Sequence, residues 1–133
     1  MVKLCVFDLD GTLVNTLHDL TNSLNYALAA CGFPALSESR VAAIVGHSVN
    51  YMCEHAVPPE AKDQAGKVLE LYMAHYKEHS LDRSHPYDGM VEAVEAIKAA
   101  GVTVAIASNK PHTDTVKVIE TLYPKDLFSM VLG

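Results

Sequence analysis

Lys3-Leu4-Cys5-Val6-Phe7-Asp8-Leu9-Asp10-Gly11-Thr12 decides how the rest of the chain is read. A short apolar, partly β-branched run stops abruptly at carboxylates and a glycine, the pattern of a buried strand that feeds a polar loop. A second such run, Val102-Thr103-Val104-Ala105-Ile106-Ala107, ends in Ser108-Asn109-Lys110, and a third spans Phe128 to Leu132. Helical spacing stands before each of the later two. Met90, Val94 and Ile97 mark a helix closed by Gly101, and Val116, Ile119 and Leu122 share one face of a helix predicted over 112–122. Continuously apolar strands separated by helices predict an α/β fold whose parallel sheet is buried on both faces.

Between the first and second strands the pattern is helical throughout. Leu17, Leu20, Leu24, Leu28 and Cys31 recur at helical spacing, with Asn15 or Thr16 as N-cap and Gly32 just past the end. Ser37 opens a stretch carrying Val41, Ile44 and Val45 that breaks at Gly46, and Val49, Met52, Cys53 and Ala56 continue it to Pro58-Pro59. A long helix is predicted from about 60 to 79, with Val68, Leu69, Tyr72, Met73 and Tyr76 on its apolar side. Residues 84–89 read as a turn-rich linker. The expected organisation is an α/β core from residues 1–15 and 84–133, interrupted by an all-helical segment, 16–83.

Composition narrows the function classes. With 133 residues, half of them hydrophobic, the chain can bury a core and is not a disordered segment. Sixteen acidic against ten basic side chains, with no block of Lys or Arg, argue against nucleic acid as a partner. No apolar run approaches the roughly 18 residues of a membrane span, and the apolar start meets Asp8 before a secretory core could form. Cys5, Cys31 and Cys53 are odd in number and widely spaced, which reads as free thiols in a reducing cytoplasm.

The chemistry is concentrated where strands end. Asp8 and Asp10 lie two apart at the end of a parallel strand, the place where open α/β sheets bind ligands. Neighbouring carboxylates repel unless a cation or shared proton compensates. Mg2+, which takes a few carboxylates and completes its shell with phosphate oxygens and water, is the fitting cation. Gly11 permits a tight turn with backbone N–H groups turned towards an anion. Ser108 and Asn109, just ahead of a helix, suit a phosphoryl group, and Asp8 suits attack on phosphorus. Taken singly, each segment also reads as an acidic turn or a helix-capping turn. Taken together they point to phosphoryl transfer.

Phe7-Asp8-Leu9-Asp10-Gly11-Thr12-Leu13, the helical segment, Pro86-Tyr87-Asp88-Gly89 and the strand ending Ser108-Asn109-Lys110-Pro111 resemble the haloacid-dehalogenase superfamily, in its phosphoglycolate-phosphatase-like branch with a helical cap. The resemblance spans the whole chain. It implies a Rossmann-like core, Asp8 as nucleophile and Asp10 as general acid and base. It also implies Mg2+ held by the Asp8 side chain and the Asp10 backbone carbonyl, with phosphate bound by Ser108 and Asn109; Gly11 and Lys110 are the further phosphate-binding candidates. Asp10 favours phosphoryl transfer over carbon–halogen cleavage, and Thr12 favours a phosphatase over a mutase. The expected function is Mg2+-dependent hydrolysis of a small phosphate monoester, such as 2-phosphoglycolate, through an aspartyl phosphate. A pyrophosphatase or phosphomutase of the superfamily and a non-catalytic fragment are the alternatives.

The family carries a phosphate-neutralising lysine and a metal-binding Asp pair after the third strand, and Gly133 precedes both. The expectation is a truncated phosphatase at least about a hundredfold less active than a complete relative, the usual cost of one lost electrostatic contact. An open first strand would favour self-association. Lys110 is read as a helix-end surface residue, with substitution for the lysine as the alternative. By resemblance Gly46 and His47 lie in the loop that faces the active site, where His47 reads either as a contact to a small carboxylate or as an exposed loop histidine. His75 and His79 have metal-compatible spacing, but no Glu follows the first as in zinc proteases, and the pair is read with Glu78 as a solvated helix face. Tyr72, Met73 and Tyr76 are expected in the core of the helical segment.

Overall fold

Leu4–Phe7 forms strand β1 in a computed structural model that describes Met1–Gly133. After β1 come β2 (Val14–Asn15), α1 (Leu17–Ala30), α2 (Glu38–Ala42), α3 (Val49–Ala56) and α4 (Ala65–His79). The chain continues through β3 (His85–Pro86), α5 (Met90–Ala99), β4 (Thr103–Ala107), α6 (His112–Leu122) and β5 (Met130–Leu132). Two compact units result: Met1–Asn15 with His85–Gly133, and Thr16–Ser84.

The first unit is built on a parallel sheet ordered β1-β4-β5. Both crossovers step the same way along the sheet, so right-handed connections place α5 and α6 on one face. Val104 and Ile106 are buried on that face and Cys5, Phe7 and Val131 are half-buried. The opposite face carries Leu4, Val6, Met130 and Leu132, each more than half exposed. Burial on both faces, expected from the continuous apolar runs, therefore holds for one face only. Ala105 on the open face is shielded because Val6 and Met130 flank it in register.

Residues 84–89 are more ordered than a linker. His85 and Pro86 pair antiparallel with Asn15 and Val14, a two-residue ribbon too short to leave a periodic signature. Gly89 adopts φ +77 directly ahead of α5, a backbone that L side chains rarely accept.

The helical unit packs α1 on α4 around Leu24, Leu28, Val68, Tyr72 and Tyr76, all 1% exposed or less. Each such leucine contributes about 2 kcal/mol by leaving water. Ser37 and Ser48 cap α2 and α3, their hydroxyls accepting from Arg40 N and Tyr51 N. The helix expected from residue 60 begins later. Pro59–Gln64 is a 3-10 turn with a non-helical residue at Ala61, and the α-helix starts at Ala65. Met73, expected in the core, is 39% exposed, because it follows Tyr72 around the rim of the buried stripe.

Asp19, in the first turn of α1, is 1% exposed and fully engaged. It accepts from Arg83 N at 2.9 Å, from Ser84 N at 2.7 Å and from Ser84 Oγ at 2.7 Å. A buried carboxylate is tolerable only with such a set of donors. The contact joins the first and last turns of the helical unit.

Candidate active site

β1 and β4 run parallel with Phe7 opposite Ile106, so the chain leaves both strands at the same level. Asp8 and Asp10 follow one strand, and Ser108, Asn109 and Lys110 follow the other. Leu9, between the carboxylates, points inward and is wholly buried, which turns Asp8 and Asp10 away from the core.

The loop is held rigidly. The Leu9 carbonyl accepts from Thr12 N, Leu13 N and Val14 N at 3.2, 3.0 and 3.2 Å, and Gly11 N donates to Val14 O at 3.0 Å. Gly11 has φ +76, so its lack of a side chain is what closes the turn. Leu13 and Val14 anchor the loop from beneath, both wholly buried. Tyr123, at the end of α6, donates its hydroxyl to Leu13 O at 2.7 Å. Burial pushes that phenol up to about 12. Sequence reading missed this support, since nothing in the local sequence marks Tyr123 as a partner of Leu13.

Asp8 is exposed, and its Oδ1 accepts from Leu9 N at 2.7 Å. Asp10 is paired with Lys110, whose Nζ stands 3.1 Å from Oδ1 and 3.4 Å from Oδ2. The Lys110 side chain is 3% exposed. Its expected place on the surface is thus corrected: the ammonium turns inward because Asp10 compensates its charge. Lys110 N donates to Ser108 Oγ at 3.1 Å, while Ser108 N donates to Leu132 O at 2.9 Å. The Ser108 hydroxyl, used as an acceptor, keeps its own proton for a ligand. Asn109 is exposed. Thr115 Oγ1 reaches Pro111 O at 3.1 Å and ties the start of α6 to the same loop.

The structure therefore gathers Asp8, Asp10, Gly11, Ser108, Asn109 and Lys110 at two adjacent strand ends. Gly46 and His47 belong to the helical unit, in the turn between α2 and α3, where the His47 ring lies 4.3 Å from that of Tyr51. No group of three or more His, Cys, Asp or Glu side chains converges tightly enough to enclose a metal. Two aspartates at a strand end still match Mg2+, which is usually bound through one or two carboxylates plus substrate phosphate and water.

A parallel sheet ordered β1-β4-β5, with a carboxylate pair after the first strand and a hydroxyl–amide–ammonium triplet after its neighbour, is an α/β core that gathers its polar groups at two adjacent strand ends. Residues 5–133 match the haloacid dehalogenase-like hydrolase family, and the chain belongs to that family. It is 37% identical over 132 residues to a phosphoglycolate phosphatase of Mesorhizobium japonicum, covering 96% of this chain and 58% of that protein. A phosphoglycolate phosphatase of Agrobacterium fabrum is 34% identical, with 90% of this chain and 53% of that one covered. A crystal structure described as a predicted phosphoglycolate phosphatase from Haemophilus somnus superposes with a TM-score of 0.92 at 33% identity, covering 99% of this chain and 62% of that one. The chain thus spans between about half and two thirds of the length of these relatives.

Proposed function

We propose that this chain supplies the nucleophile and phosphate-binding half of a phosphomonoester hydrolase that acts on a small phosphorylated metabolite, with 2-phosphoglycolate the substrate suggested by the relatives' names. The observation that carries the reading is the meeting of Asp8 and Asp10 with Ser108, Asn109 and the buried Lys110 ammonium at neighbouring strand ends. Asp8 Oδ attacks phosphorus, the bond to the leaving oxygen breaks, and an aspartyl phosphate forms. In its protonated form Asp10 gives its proton to the departing alkoxide, and the carboxylate so formed takes one from the water that hydrolyses the intermediate. Ser108 and Asn109 donate to the phosphoryl oxygens, and Lys110 adds positive charge where negative charge gathers.

Asp8 and the Asp10 carbonyl would hold Mg2+, which supplies further charge neutralisation on the phosphoryl group. In the helical unit, Gly46 and His47 would read the leaving group. Three free cysteines accord with a cytoplasmic setting, and no helix is long and apolar enough to cross a membrane. The open edge of β1 favours association with a second copy.

The test is phosphate release from p-nitrophenyl phosphate and 2-phosphoglycolate, with Mg2+ or chelator, for this chain, its Asp8→Asn variant and a version extended by a relative's C-terminal segment. Mg2+-dependent release that vanishes with Asp8→Asn is expected in the extended form, and the same assay compares it with the 133-residue chain. Release that survives Asp8→Asn would refute the nucleophile. The rival pyrophosphatase and phosphomutase readings are separated by the substrate profile.

A further inference from the structure

The end of β5 meets the Ser108-Asn109-Lys110 turn from behind. Side chains alternate along a strand, so Val131 and Gly133 lie on the α6 side while Met130 and Leu132 lie on the open side. Ser108 N donates to Leu132 O at 2.9 Å, which sets the height of β5 against the turn. Lys110 N closes the turn by donating to Ser108 Oγ at 3.1 Å. Thr115 of α6, wholly buried, holds its Oγ1 3.1 Å from Pro111 O and 3.4 Å from Lys110 O. Strand end, turn and helix start therefore converge on residue 133.

That position has no room for a side chain. A Cβ on Gly133 would stand 2.6 Å from Thr115 Oγ1 and 2.8 Å from both His112 Cα and Lys110 O. Non-bonded carbon rests at about 3.5 Å from its neighbours, so a methyl group falls short by roughly 0.7 Å or more. His112 Cα and Lys110 O are backbone atoms and cannot turn aside as a flexible side chain can. At the other six glycines a Cβ would meet nothing within 4 Å, so close packing singles out Gly133.

An added methyl group has two ways out. Moving β5 away breaks the bond from Ser108 N to Leu132 O, and moving the other side pushes the Lys110 peptide and the start of α6 off the sheet. Either way the turn shifts. The bond from Lys110 N to Ser108 Oγ lengthens, and the Ser108 hydroxyl loses the orientation in which its proton is free for a ligand.

We propose that Gly133 is a positioning residue for phosphate binding, its bare α-carbon letting α6 and the Ser108-Asn109-Lys110 turn close onto the end of β5. What the turn binds rests on the phosphatase reading above, whereas the place of the turn rests on packing alone. Gly133 acts through Lys110 and Ser108.

The test compares Gly133→Ala with Leu132→Ala, one residue earlier on the open side, in this chain and in the version extended by a relative's C-terminal segment, where residue 133 is held from both sides. Amide hydrogen exchange reads the turn without any assay of activity. In Gly133→Ala the Lys110 amide is expected to exchange at least about tenfold faster while the β1 and β4 amides keep their rates, and Leu132→Ala leaves Lys110 unchanged. In the extended form Gly133→Ala is expected to lower kcat for p-nitrophenyl phosphate at least about tenfold with a smaller change in KM, since misplacement by about 1 Å can cost about a hundredfold. Lys110 exchange no faster in Gly133→Ala than in Leu132→Ala, or exchange faster throughout β1 and β4 as well, would overturn the positioning of the turn. Faster Lys110 exchange with kcat unchanged would overturn its bearing on the reaction. An unsubstituted extended form with no Asp8-dependent release would refute the phosphatase reading instead, and the exchange comparison would still decide the place of the turn.

Discussion

Lys110 Nζ lies 3.1 Å from Asp10 Oδ1, which joins residues one hundred positions apart at the ends of two adjacent strands. The lysine side chain is 3% exposed and the aspartate 14%, so removing either partner leaves the other's charge in a poorly solvated place. Lys110→Met and Asp10→Asn are each expected to lower the unfolding free energy by about 3 kcal/mol, and the double variant by less than the sum. Urea unfolding measures all three, and strictly additive losses would show that the pair is not coupled.

Asp10 also bears on turnover. If it moves protons in both steps, Asp10→Asn lowers phosphate release at least about a hundredfold, while Asp8→Asn abolishes it. On the proposed function Ser108→Ala removes one donor to the phosphoryl group and is expected to cost about a hundredfold in kcat. Steady-state assays of well-folded variants decide, and a Ser108→Ala variant that affects only KM would place the hydroxyl in ground-state binding.

Alkaline stability depends on two buried acids. The Tyr123 phenol is pushed by burial from 10.0 to about 12, and the Cys53 thiol, by burial and the Glu54 carboxylate, from 9.0 to about 12. The unfolded chain releases these protons first, so stability is full below about pH 9 and falls as pH rises from there to about 12. Tyr123→Phe removes the phenol's share of that slope above pH 10 and costs about 1 kcal/mol at neutral pH, because Leu13 O loses its donor. Denaturant unfolding from pH 7 to 11 follows both effects.

The open sheet face has a solution signature. Leu4, Val6, Met130 and Leu132 line up beside an unpaired β1 edge, so this chain is expected to self-associate as its concentration rises. Val6→Lys and Leu132→Lys should each raise the monomer fraction in sedimentation equilibrium. A wild-type chain that stays monomeric at high concentration would show that the face does not drive association.

Asp19→Ala leaves the Arg83 and Ser84 amides and the Ser84 hydroxyl without their buried acceptor. The expected loss is about 3 kcal/mol, with hydrogen exchange speeding up first at residues 83 and 84. Asp19→Asn restores only part of it, since an amide is the weaker acceptor.

What the sequence made legible were elements that carry their own pattern. The helix predicted over 112–122 is observed as His112–Leu122, because one apolar face and Pro111 define it locally. The carboxylates and the Ser108-Asn109-Lys110 triplet were legible as strand-end chemistry for the same reason. Lys110 was misplaced because the group that draws it inward is Asp10, in a distant stretch. Asp19 gave no signal, since an acidic residue in a first helical turn is ordinary and only its burial beside Ser84 makes it structural. Met73 was assigned to the core because Tyr72 and Tyr76 flank it, although a 100° step carries it past the buried stripe.

The Asp19 contact spans sixty-five positions, and on the other side of it β2 and β3 bring Asn15 and His85 together. From the sheet's side, everything between is a hairpin loop whose ends are already tied. The entropy of closing that loop rises only with the logarithm of its length, so doubling the segment costs about 0.6 kcal/mol. The intervening helices can therefore be lengthened, exchanged or re-sculpted with little penalty to the sheet and its aspartates. Change in the helical unit is in this way uncoupled from whether the sheet folds.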